Sequence, residues 1–221
     1  ALYTAEVFGE LARQNGIILP APKRSTANGS GRVIGLHQSD PLSVLVKSML
    51  RFSTNLSAEV LGLMASGQRA SLAASAAQMN TWAQSRLGLS NATFRDHSGL
   101  SDETRISPVA FAKAMARAHQ TFPEFIALLK PVKPRQFNGN LDQTGRANIL
   151  AKTGTLNFVS ALGGYQMTKE RQVAFAIFVQ DFEKRNQVDH IKNDRPRGAS
   201  DWAKRARRLH HGLLYRWARL P

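Results

Sequence analysis

Apolar residues recur at spacings of three and four along the first part of the chain, then give way near residue 146 to unbroken apolar runs with polar punctuation. The first pattern predicts amphipathic helices and the second predicts strands. Residues 2–16 read as a helix that stops at Asn15-Gly16. A Pro/Ser/Gly-rich loop, LPAPKRSTANGSG, follows, and RVIGLHQ is a short strand candidate. Asp40-Pro41 opens a long helical segment to about Ser66, with a capping residue, a first-turn proline and Leu42, Leu45, Val46, Met49 and Leu50 at helical spacing. ASLAASAAQMNTWAQSRLG is an alanine-rich helix stopped at Gly88. Ser107-Pro108 starts another helix, and Phe122 to Lys130 a short fourth.

Three strand candidates come next in direct succession: ILAKTGTL, SALGGYQMT and QVAFAIFVQDF. The first two are broken only at Asn157, and TKERQ suits a tight hairpin before the third. ASDWAKRARRLHHGLLYRWARL closes the chain as one helix, with Trp202, Ala206, Leu209, Leu213, Trp217 and Leu220 along one face. Helices, then an antiparallel meander, then a closing helix predict an α/β (α+β) fold with α/β/α layering, not a βαβ repeat. The chain reads as one domain over 1–221, with a helical part at 1–145 and the sheet and closing helix at 146–221.

Composition narrows the chemistry. The chain has 221 residues, 43% of them apolar, enough for a real core. It has no cysteine, which removes disulfides, thiolate catalysis and most structural zinc sites and leaves cytoplasm and periplasm both open. His37, His119 and His190 are scattered and His210-His211 face different ways on a helix, so no metal site is read. Neither a G-x-S-x-G elbow, an H-E-x-x-H pair nor a phosphate-binding loop is present. The start, ALYTAEVFGELARQ, lacks the pattern of a signal peptide and resembles mid-protein helix, so the numbering is expected to begin inside a longer gene product.

Thirty Lys+Arg against fifteen Asp+Glu give +15, concentrated between Lys184 and Arg219. Such a field favours anionic partners. No nucleic-acid-binding signature accompanies it, so nucleic acid is not the expected partner; peripheral contact with an anionic membrane or wall polymer is one reading of the basic tail, and a closing helix with solvated arginines is the bland alternative.

Candidate chemistry lies in three stretches. Lys152-Thr153-Gly154 puts a cation and a hydroxyl inside a strand, followed by a residue without a side chain where a ligand backbone could approach. The bland alternative is a solvent-facing lysine. Ser53-Thr54-Asn55 interrupts an apolar helical pattern that resumes at Leu56 and Val60. Its bland alternative is a helix kink or cap, with Glu59 completing a capping box. Phe94 to Pro108 is a polar loop holding Ser98-Gly99.

Together MLRFSTNLSAEVL, DHSGLSDETRISP and AKTGTLNFVSALGGY resemble the low-molecular-mass penicillin-binding proteins that act as D-alanyl-D-alanine carboxypeptidase/endopeptidase. The resemblance covers about Leu2 to Phe182. It implies a β-lactamase/transpeptidase-like three-layer domain, a periplasmic location, no cofactor, and D-Ala-D-Ala peptides of peptidoglycan and β-lactams as partners. It implies that Lys152 supplies charge beside the nucleophile, Thr153 binds the substrate carboxylate, Gly154 admits the substrate backbone and the Thr155 N–H forms half of an oxyanion hole. Ser53 would relay a proton to the departing D-Ala, Asn55 would hold the substrate amide, and Ser98 and Gly99 would line the cleft.

One element of the family pattern is missing. Its nucleophile is a serine three residues before a lysine, and none of the seventeen serines here has that lysine. Ser43 has Lys47, one residue too far around a helix, and Ser48 and Ser66 have arginine three on, which cannot act as a base. The chain is therefore expected to be the C-terminal portion of a longer enzyme whose N-terminal remainder carries the nucleophile. The competing readings are a catalytically dead relative and a basic protein that binds nucleic acid or an anionic surface through its last helix. His97 stands where the family loop has glycine, and is expected to be a tolerated surface change or to narrow the cleft.

Overall fold

The computed structural model describes residues 2–26, 29, 32–67, 71–188, 194 and 196–220, which leaves His190 outside the described residues. They form two compact units, 1–39 and 40–221. The first contains α1 (Leu2–Gln14), which ends at Gly16 in the left-handed conformation (φ 77). The RVIGLHQ segment forms no strand; Val33, Ile34 and Leu36 lie exposed outside any helix or strand. Its β-branched residues favour a strand, but no strand pairs with it among the described residues.

The second unit opens with α2 (Leu42–Phe52) and α3 (Asn55–Ser66), two helices where the sequence pattern reads as one. They are followed by α4 (Leu72–Leu87) and α5 (Pro108–Thr121). Ser71 and Ser107 cap α4 and α5 by accepting from the Ala74 and Ala110 N–H groups, and Gly88 ends α4 in the left-handed conformation. The short fourth helix is a 3-10 turn, Pro123–Leu128.

An antiparallel sheet follows in the order β1 (Lys130–Pro131), β2 (Asn148–Leu156), β3 (Val159–Met167), β4 (Gln172–Gln180). The three long strands are the predicted ones. The two-residue β1 and the short α6 (Phe182–Asn186) carry no periodic signal of their own. The β2–β3 turn at Asn157-Phe158 holds Phe158 at φ 59, with its side chain buried against Trp202.

Alternation along the strands builds the layers. Ile149, Ala151, Leu162, Phe175 and Ile177 face one way and pack with Leu214 of α7 (Ala199–Trp217). Leu150, Tyr165 and Ala174 face the other way and pack with Met115, Phe111 and the 3-10 turn. Neighbouring residues of β3 fasten both layers: the Tyr165 hydroxyl donates to the Met115 carbonyl at 2.6 Å, and Gln166 Nε2 donates to the Leu214 carbonyl at 2.8 Å. Burial pushes the Tyr165 hydroxyl up to about 12. The result is the α/β/α layering that the element order predicts.

The buried line of α7 overlaps the predicted face at Ala206, with Trp202, Leu213 and Trp217 packed at its margin, but does not coincide with it. Ala199, Ala203, Ala206, His210 and Leu214 face the sheet, while Leu209 and Leu220 are exposed. A count of bulky apolar residues cannot see that small residues permit the close approach and that a neutral histidine joins them. Burial, then the charges of His211 and Arg207, hold His210 down to about 4.

Candidate active site

The break between α2 and α3 is made by Ser53 itself. It adopts a left-handed conformation (φ 56, ψ 48), rare for a residue with a β-carbon, and its N–H closes α2 by donating to the Met49 carbonyl at 2.8 Å. Thr54 is extended and Asn55 begins α3. No side chain caps α3 at Thr54, so the capping-box reading of Glu59 does not hold. The strained turn is the kind of local cost that marks functional positions.

Lys152 lies on β2 opposite Gly163 of β3. Its even-numbered position shares the face of Leu150, so the side chain points toward the helical layer that contains Ser53. Lys152 Nζ donates to Ser53 Oγ at 2.5 Å and to the Thr153 carbonyl at 2.5 Å, joining residues 99 positions apart. Burial first, and the nearby Lys130 charge second, hold this ammonium below the ordinary lysine value.

A cleft of about 460 Å³ surrounds the pair. Ser53, Asn55, Ser98, Gly99, Lys152, Thr153, Gly154 and Thr155, all eight residues singled out in the sequence, line it. Leu100, Ile106, Phe111 and Phe178 supply apolar wall that the sequence reading did not anticipate. Phe111 and Phe178 meet edge to face, with centroids 5.7 Å apart. β1 pairs only with Leu150 and Ala151, so the outer edge of β2 from Lys152 to Leu156 has no strand partner among the described residues. An open edge beside a cleft is suited to an extended peptide added as a strand.

The loop bearing Ser98 and Gly99 is held from several sides. Asp96 accepts from the Gly99 and Ser101 N–H groups, both at 2.6 Å. Asn80 of α4 clamps the main chain of Phe94 with two bonds of 2.8 Å. Glu59 of α3 accepts from the Ser98 N–H at 3.0 Å and the His97 N–H at 3.2 Å. Burial alone would raise Glu59; the Ser98 and His97 donors outweigh it and hold the carboxyl below its ordinary value. Of these anchors, only Asp96 is close in sequence to the groups it holds, three and five residues on.

His97 does not line the cleft and is not a surface change. Its ring lies against Gly62 of α3, where an added Cβ would come within 2.1 Å, and His97 Nε2 is 2.7 Å from the buried Ser75 hydroxyl. It is a wedge between α3 and α4 that carries the loop with it.

Glu59→Gln is expected to destabilise the protein by about 1–3 kcal/mol, because an amide NH2 would then face a main-chain donor. The sign of the pH dependence follows from the lowered carboxyl. The wild-type stabilisation is present above the unfolded value near 4.5 and is lost as pH falls through the lower folded value. Urea denaturation of both proteins across that acid range should show the gap narrowing as pH falls; a constant gap would refute the charged anchor.

The D-Ala-D-Ala carboxypeptidase 3 (S13) family matches residues 1–195. Among solved structures, penicillin binding protein 4 of Haemophilus influenzae, in complex with a β-lactam, is 20% identical, with 96% of this chain and 51% of that one covered at a TM-score of 0.62. A second structure of that protein matches at 21% identity, 96% and 48% coverage and a TM-score of 0.61. A predatory endopeptidase of Bdellovibrio bacteriovorus, in complex with an immunity protein, matches at 17% identity, 99% and 57% coverage and 0.56. The chain thus spans about half the length of the structures whose fold it shares. A search of curated protein sequences returns no match.

Proposed function

Because the chain belongs to the D-Ala-D-Ala carboxypeptidase 3 (S13) family, we propose that its cleft holds the D-Ala-D-Ala end of a peptidoglycan stem peptide during serine-type acyl transfer. The observation that carries this reading is the Lys152–Ser53 contact, which unites the strand and helix-break motifs in one cleft.

In this reading the substrate lies along the open edge of β2. The Lys152 ammonium and the Thr153 hydroxyl meet its terminal carboxylate, and Gly154 leaves room for its backbone. The Thr155 N–H contributes to the oxyanion hole. Ser53, fixed by Lys152, passes a proton to the nitrogen of the departing D-alanine, and Asn55 binds the substrate amide. Ser98 and Gly99 form the facing wall, and Phe111 and Phe178 exclude water from the floor. The nucleophile is a Ser-x-x-Lys serine outside these 221 residues, since no serine here has that partner. β-Lactams acylate that serine as substrate mimics, the reaction occurs in the periplasm, and residues 40–221, the unit that holds the cleft, belong to a transpeptidase-like domain.

Intact mass spectrometry after incubation with benzylpenicillin tests this. The 24.3 kDa chain should gain no adduct, and a longer product of the same gene carrying a Ser-x-x-Lys segment should gain one. An adduct on the 24.3 kDa species would overturn the placement of the nucleophile. A longer product that stays unlabelled would show a catalytically dead relative.

A further inference from the structure

We propose that α7 and the turn at residues 135–139 form a binding site for a phosphate-bearing anion. Lys204, Arg207, Arg208 and His211 fall at intervals of three and four on α7 and share its solvent side. Arg135, Gln136 and Gly139 close over them from the preceding loop, leaving a cradle of about 280 Å³. No carboxylate lines it.

The loop side is built rather than loose. Arg135 bridges to Leu141, Gln136 N–H donates to the Asn140 carbonyl at 2.8 Å, and the Arg135 guanidinium donates to the Gly139 carbonyl at 3.0 Å. Lys204 pairs at the surface with Asp201, at 3.0 Å. Arg207 and Arg208 have no acidic partner among the described residues. The cations therefore repel one another across the cradle, and the field is felt by the histidine inside it. Burial, then Arg135, hold His211 below its ordinary value despite the opposing contribution of the Lys133 main chain, and Arg207 adds to the depression. His211 Nδ1 is also buried without a hydrogen-bond partner among the described residues.

Phosphate fits this set better than carboxylate. Its charge and its several acceptor oxygens match three guanidinium forks and an ammonium converging from two sides. The volume suits one headgroup-sized ligand rather than a polymer segment lying flat. α7 packs on the face of the sheet opposite the Lys152 cleft, so occupancy here leaves that cleft open.

Calorimetry of the full chain with inorganic phosphate, and sedimentation with phosphatidylglycerol or phosphatidylcholine vesicles, tests the proposal. Saturable, salt-sensitive phosphate binding is expected, weakened about tenfold or more in Arg207→Gln/Arg208→Gln, as the loss of two charge-assisted contacts requires. Arg135→Gln should weaken it independently, without touching α7. Arg216→Gln, exposed on the same helix but outside the cradle, should leave it unchanged. Binding to phosphatidylglycerol vesicles alone, lost in the same variants, would assign the site to a lipid headgroup; binding of inorganic phosphate as well would assign it to phosphate in general. No binding to either, or equal loss in Arg216→Gln, would overturn the site in favour of a diffuse positive field.

Discussion

Lys152→Ala is expected to lower the rate at which benzylpenicillin acylates the nucleophile-bearing protein by about 10²–10³-fold, the usual cost of one oriented donor in an acyl-transfer site. The side chain makes two contacts, to the Ser53 hydroxyl and the Thr153 carbonyl, and reaches them from a strand position whose backbone is fixed by pairing with Gly163. Removal should therefore leave β2 in place and strip the cleft of its central charge. Arginine separates two explanations. It keeps the charge but does not give up a proton near neutral pH. If Lys152→Arg recovers most of the rate, charge alone matters; if it stays as slow as alanine, the proton is in use.

The pH profile gives a second readout. The lysine is held low by burial and by Lys130, so it loses its proton at a lower pH than an ordinary lysine. If acylation needs the ammonium, the rate falls as pH rises through that lowered value. Lys130→Gln removes one of the two causes and should move the falling limb upward, toward the ordinary value. A limb that does not move would show that Lys152 is not the titrating group.

Much of this was legible in the chain because local rules and global fold agree for most elements. The Ser107-Pro108 start of α5, Gly16 and Gly88 as stops, and three apolar runs marked the helices and strands. Ser53, Asn55 and Lys152 stood out because they break those rules, as poor helix formers in a helical pattern and a lysine in a strand; the other five cleft residues were assigned to the cleft through the family resemblance. What stayed hidden is what depends on distance along the chain. Glu59 reads as an ordinary helix residue until the loop 39 positions later lies against it, and Phe111 and Phe178 read as core until the cleft opens beside them. The face of α7 was legible in part: Trp202, Ala206, Leu213 and Trp217 pack inward, whereas Leu209 and Leu220 do not, since which side is buried depends on the sheet the helix meets.

Gly164 gives the second large effect, and its sign is the test. Alanine in place of a strand glycine ordinarily stabilises slightly, by restricting the unfolded chain. At Gly164 the new Cβ would lie 2.2 Å from the Leu150 carbonyl oxygen and 2.6 Å from Ala151 Cα, both main-chain atoms of the neighbouring strand. No rotamer change relieves such a contact; β2 must shift away from β3 and break pairings on both sides of Ala151. Gly164→Ala should therefore destabilise by about 3 kcal/mol or more, beyond ordinary overpacking. Gly163 is the control beside it. The three atoms nearest its Cβ would all belong to the Phe111 ring, the first at 2.5 Å, and a ring can turn. Gly163→Ala should cost about 1–2 kcal/mol and leave a folded protein with an altered cleft wall. Urea midpoints for the two variants decide the matter. Equal midpoints would mean that the close approach of β2 and β3 is not rigid, and so would not hold Lys152 where Ser53 can reach it.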